Sequence, residues 1–114
     1  MNKFILLFRG SEVYKPDQSV EALDALKTKM IGWVLDLSAK GLHVASEPMQ
    51  RHGRQVIGSE RTVIDGAYGR ESEIVGGCTI VLANDIDAAV DIARACPILE
   101  TNATIEVREI QNVQ

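Results

Sequence analysis

An α+β fold, with two helices packed on one face of a sheet, is what this sequence predicts. Three observations carry the prediction. Apolar runs that read as strands alternate with two stretches of helical periodicity, in the order strand, helix, strand, short hairpin, strand, helix, strand. Each half thus forms a strand-helix-strand unit, the pattern of a ferredoxin-like α/β sandwich. The length of 114 residues suits one domain that buries a core of its own. Two helices cover one sheet face, so the other needs a cover, and a second subunit is the simplest.

Taken in order, KFILLFR (Lys3 to Arg9) reads as a central strand, apolar on both faces and closed by Gly10. The loop YKPDQS follows, with Asp17 or Ser19 placed to cap a helix after Pro16. From Val20 to Lys40, the residues Val20, Leu23, Leu26, Met30, Trp33, Val34 and Leu37 recur at three- and four-residue steps, one stripe of an amphipathic helix. Lys40 suits its negative end and Gly41 a left-handed stop. Gly32, inside the helix, is expected to mark close packing, since it costs about 1 kcal/mol relative to Ala.

LHVASEPM (Leu42 to Met49) is a second strand, and QVIGSERTVIDG one or two short strands broken near Gly58. VGGCTIVLA (Val75 to Ala83) is the next long strand. NDIDAAVDIARACP is a second helix, capped by Asn84 or Asp85 and stopped by Pro97, with Ile86, Ala89, Val90 and Ala93 as its expected buried face. ATIEVREI (Ala103 to Ile110) alternates Ile105 and Val107 with outward Glu106 and Arg108, and closes the sheet.

The bulk numbers exclude several functions. A net charge of -4 gives no nucleic-acid footprint, because phosphate binding needs clustered Lys and Arg. No apolar run approaches the ~20 residues of a membrane span, and MNKFILLFRG is too short for a signal-peptide core, so a cytoplasmic protein is expected. Cys78 and Cys96 fit no metal motif; two small buried hydrophobes in a strand and a helix are expected rather than a disulfide. The histidines His43 and His52 stand on different elements, so no metal pair and no metal centre is predicted.

Chemistry has few candidates. No serine lies in a nucleophile-elbow context, and Gly76-Gly77 precedes a strand, whereas a phosphate cradle opens a helix. His43 projects opposite to Leu42 and Val44, either as a polar strand-face residue or as a proton carrier in a pocket. Asp65 ends a strand before Gly66, with Glu71 and Glu73 in the same loop. Beside Tyr68 and apolar walls Asp65 suits an acid or base; the plainer reading is an Asp-Gly turn bonding its own backbone.

The stretch DGAYGRESEIVGG resembles the signature of the YCII-related, or DGPF-domain, family: Asp-Gly-Pro-Phe, a small segment, Lys-Glu and Gly-Gly. The continuation through ARACPILE and IEVREI is similar to the same family, and the FILLFRG strand, Trp33 and Gly41 agree more loosely. The likeness spans nearly the whole chain as one domain, residues 1–114. It implies a ferredoxin-like fold that dimerises as an α/β barrel, with a cleft near the signature loop. By motif match the family's Asp is Asp65, its glycine Gly66, its aromatic Tyr68 and its glutamate Glu73. Ala67 replaces the Pro, Tyr68 the Phe and Ser72 the Lys, which removes a cation beside Glu73.

Enzymes of the wider group have a His–Asp pair whose His lies on the first helix; the helix Val20 to Lys40 has none, and His43 is the one substitute. The family also occurs beside extracytoplasmic-function sigma factors, which implies regulation as a partner role. Beside a purely structural reading, in which Trp33 is core, Asp65 a turn residue and the loop only seals the dimer, two functions stay open. One is a homodimeric small-molecule-binding or regulatory accessory protein, its pocket lined by Trp33, Gly66 and Tyr68. The other is a cofactor-independent enzyme in which Asp65 and Glu73, with His43, move protons.

Overall fold

The computed structural model describes residues 1–10 and 19–112. Among these residues six strands and two helices follow in the predicted order: β1 (Asn2–Arg9), α1 (Val20–Ala39), β2 (His43–Pro48), β3 (Arg54–Ile57), β4 (Thr62–Asp65), β5 (Val75–Ala83), α2 (Ile86–Arg94) and β6 (Thr104–Glu109). Strands β2-β5-β1-β6 form one antiparallel sheet, and β3-β4 form a separate two-stranded hairpin. This is an α+β fold of the ferredoxin-like kind.

Strand alternation sorts β1 onto two unlike faces. Phe4, Leu6 and Phe8 are buried under the helices with Val81, Ala83, Trp33, Leu37, Ala89 and Ala93. Ile5 and Leu7, paired with Ile80 and Cys78, lie half-buried on the opposite face and outside that core. Among the described residues no helix covers them. The molecule is accordingly two layers deep, 18 Å along its shortest axis.

Ser19 caps α1, its Oγ accepting the Ala22 N–H at 3.1 Å, while Asp17 and Pro16 lie outside the described residues. The helix ends as foreseen at Gly41, whose φ is 72°. Gly41 N–H donates to the Ser38 carbonyl and Leu42 N–H to that of Leu37, at 3.0 and 2.9 Å, which satisfies the last carbonyls. Asp85 caps α2 by accepting the Ala88 N–H at 2.9 Å.

Four expectations need correction. Val20 stands 72 % exposed, so the buried stripe of α1 is confined to Trp33 and Leu37, backed by Leu26, Met30 and Val34. Gly32 is exposed and a Cβ there would meet nothing within 4 Å, so it marks no close packing. On α2, Ile86 and Val90 face solvent, while Ala88 and Ile92 join Ala89 and Ala93 against the sheet. The rotation follows from Trp33, whose Nε1 donates to the Ile92 carbonyl at 3.3 Å and draws that side of α2 inward. Cys96 is buried just past α2, at the start of a 3-10 turn over Pro97–Glu100, and both cysteines are free.

Candidate functional site

The signature loop begins where the hairpin ends. Asp65 is the last residue of β4 and pairs across the hairpin with Arg54, their side chains 3.6 Å apart. The chain then turns sharply at Gly66, φ 114°, a conformation L side chains rarely adopt. Gly66 N–H donates to the Gly53 carbonyl at 2.8 Å, and its own carbonyl accepts from Gln55 Nε2 at 3.2 Å. Both backbone groups of Gly66 are therefore engaged. The side chains beside it lie open to solvent: Asp65, for all its contact with Arg54, is 93 % exposed, and Tyr68 is 81 % exposed.

Beyond Gly69 the loop closes into a 3-10 turn over Glu71–Glu73. Glu73 Oε1 accepts the Arg70 N–H at 3.0 Å, so this carboxylate caps the turn. Two arginines pin the turn from outside. Arg9, at the end of β1, donates from Nη1 to the Glu73 carbonyl at 2.8 Å, and Arg51 donates from Nη2 to that of Glu71 at 3.0 Å. Gly10 N–H donates to the Ile74 carbonyl at 3.0 Å, and the backbones approach so closely that a Cβ on Gly10 would lie 2.3 Å from the Ser72 oxygen. The loop is held by its main chain and offers its side chains outward.

The predicted residues fall into three places rather than one. Asp65, Gly66, Tyr68 and Glu73 share the loop, but among the described residues no hydrogen bond or ion pair joins Asp65, Tyr68 or Glu73 to one another. Trp33 lies in the core, 8 % exposed, its ring edge-on to Phe8 with centroids 6.4 Å apart. His43 stands in β2, its Nε2 2.9 Å from Ser46 Oγ, which in turn lies 2.9 Å from Thr79 Oγ1. Among the described residues no group of three or more His, Cys, Asp or Glu is placed to hold a metal.

Sequence reasoning missed the anchors Arg9, Arg51 and Gly10, and the hydroxyl pair Ser46 and Thr79. Arg9 and Gly10 read as a strand end and a stop, and only the fold shows that the loop returns to them. Among the described residues, no helix is long and apolar enough to cross a membrane.

Comparison with known proteins agrees with this architecture. No curated protein matches the sequence. Among solved structures, the fold is similar to that of 5-chloro-2-hydroxyhydroquinone dehydrochlorinase from Burkholderia phenoliruptrix AC1100, in complex with 2,5-dihydroxybenzoquinone. The TM-score is 0.55 at 13 % identity, over 96 % of this chain and 95 % of that one, a likeness of fold alone. The profile of the YCII-related domain matches residues 11–114, which take in the whole signature loop, both helices and five of the six strands. The chain therefore belongs to the YCII-related domain family.

Proposed function

We propose that this protein is a homodimeric small-molecule-binding accessory protein, and that its ligand site closes around Asp65, Gly66 and Tyr68 when two copies associate. The carrying observation is the division of labour in the loop: its backbone is fixed by Arg9, Gly10, Arg51 and Gly53, while Asp65 and Tyr68 are presented to solvent. A hydroxylated aromatic and a carboxylate on a fixed turn suit recognition of a small polar molecule. The uncovered sheet face with Ile5, Leu7, Ile80 and Leu82 supports the dimer, since a second copy would complete the barrel. Val56 and Val63 on one face of the hairpin and Ile57 and Ile64 on the other, all exposed, add to that support.

The second reading is a cofactor-independent enzyme using Asp65 and Glu73 in proton transfer. It draws on the dehydrochlorinase of similar fold, an enzyme, and on two carboxylates in one loop. The capping bond of Glu73 weighs against it, because a carboxylate that holds a turn is poorly placed to move.

Sedimentation and a thermal-shift screen of metabolites test the proposal together. A dimer is expected, and a ligand at 100 times its dissociation constant adds about 2.7 kcal/mol of stability. That gain should vanish in Asp65→Ala while the unliganded melting point stays put. A monomeric wild-type protein, or an Asp65→Ala protein that is merely less stable and still binds, would overturn it.

A further inference from the structure

Strand β2 carries a side-chain arrangement that its own periodicity forbids. Residues three apart in a regular strand point to opposite faces, so His43 and Ser46 should not meet. The register with β5 slips, however: His43 pairs with Val81 and Ala45 with Ile80, leaving Val44 as the extra residue of a β-bulge. Beyond the bulge Ser46 pairs with Thr79 and lies on the helix-facing side, the side His43 shares with Val81. The two 2.9 Å contacts then run His43 Nε2, Ser46 Oγ, Thr79 Oγ1.

One arrangement of the protons leaves no buried hydroxyl unpaired. Thr79 is 1 % exposed, and among the described residues Ser46 is the sole partner of its hydroxyl. A buried hydroxyl proton without an acceptor costs a hydrogen bond, and a Thr79 proton given to Ser46 avoids that cost. In the tautomer with the ring proton on Nδ1, Ser46 gives its own proton to His43 Nε2 across the 2.9 Å contact. A hydroxyl donating to an imidazole nitrogen at this distance is the nucleophile-and-base arrangement of acyl transfer.

We propose that Ser46 is a nucleophile toward small uncharged carboxylic esters, with His43 as its base and Thr79 as a positioning residue. Ser46 Oγ forms a bond to the ester carbonyl carbon as its proton passes to His43 Nε2. The carbon–oxygen bond to the alcohol breaks, and the alcohol leaves with that proton. Water then attacks the acyl-serine, giving its proton to His43, and the acid departs as Ser46 Oγ recovers a proton from His43. Among the described residues β2 is an edge strand, so amides on its outer side have no ladder partner there, the donor type a developing oxyanion needs. Among the described residues none of the three bonds to a charged side chain, which favours a neutral acyl group. This activity is independent of the Asp65 loop.

The test uses the full chain with p-nitrophenyl acetate, following nitrophenolate release and mapping the acetyl group by peptide mass spectrometry. An acetyl group on Ser46 is expected, absent in Ser46→Ala, with the rate lowered by about 100-fold in His43→Gln. Thr79→Val should slow acetylation and Thr79→Ser restore it, which a purely structural hydroxyl would not do at equal melting temperature. Acetylation elsewhere, or none, overturns the proposal, and equal rates in Thr79→Val and wild type overturn the role of Thr79. Should Ser46→Ala fail to fold, the position of the acetyl group on the wild-type chain decides.

Discussion

Arg9 grips Glu106 from the side: its Nε and Nη2 stand 3.1 and 3.0 Å from the same carboxylate oxygen, Oε1. Because Nη1 is spent on the Glu73 carbonyl, one guanidinium ties β6 to the signature loop. Lys offers a point charge and cannot fill three fixed directions. Arg9→Lys should therefore cost about 1 kcal/mol, a modest figure because the pair is partly exposed. The sharper readout is hydrogen exchange at the Gly10 amide, which bonds Ile74 in the same loop. Unchanged exchange there would show that Arg9 does not hold the loop.

Two glycines should respond in opposite directions to alanine. Gly10 combines a φ of 66° with a backbone oxygen 2.3 Å from any Cβ, so Gly10→Ala should lose about 2–4 kcal/mol. Gly32 sits inside α1 with open space around it, so Gly32→Ala should gain up to about 1 kcal/mol. Urea unfolding of both variants checks the pair. Equal effects would contradict the close approach of β1 to the loop.

Trp33 is the single tryptophan, which makes its environment directly readable. Its emission should be blue-shifted and poorly quenched by acrylamide, and saturation with any ligand of the loop should leave it unchanged. Trp33→Ala should cost about 3–5 kcal/mol as a core truncation. A ligand that quenches Trp33 directly would restore it to the binding wall.

Cys96 links stability to alkaline pH. Burial raises its thiol from the ordinary 9.0 to about 11, partly opposed by a hydrogen bond with the Ile98 backbone. The raised value means the native state keeps a proton that the unfolded chain sheds. The contribution is complete below pH 9.0 and fades as pH climbs toward about 11, a loss of about 2–3 kcal/mol over that window. Unfolding measured across the window should fall less steeply in Cys96→Ala than in wild type. Parallel slopes would mean that the thiol ionises freely in the folded protein.

Element type and order were legible because period-2 and period-3.6 patterns are local. The starts of α1 and α2 were legible to within a pair of residues each, Asp17 or Ser19 and Asn84 or Asp85, and the stop at Gly41 outright, because caps are made by neighbours in sequence. The face of α2 was not, since Ile86 and Val90 match Ala89 and Ala93 in period, and only the contact with Trp33 selects between them. Likewise, motif spacing located the loop at Asp65 to Glu73, but its exposure depends on Arg9, Gly10 and Arg51, which arrive from elsewhere in the chain. The meeting of His43 with Ser46 was illegible in principle, because a bulge at Val44 breaks the alternation from which faces are read.

The central place of β1 has a consequence for how the chain reaches its fold. Phe4, Leu6 and Phe8 pair with β5 (Val75–Ala83) and β6 (Thr104–Glu109), so this strand is made well before either of its partners. Until β5 emerges, FILLF has no ladder to enter and remains an aggregation-prone segment of the nascent chain. Folding should be slow for the size, limited by the search that brings these sequence-distant strands together. Truncations lacking β6 should then fail in expression before any question of activity arises.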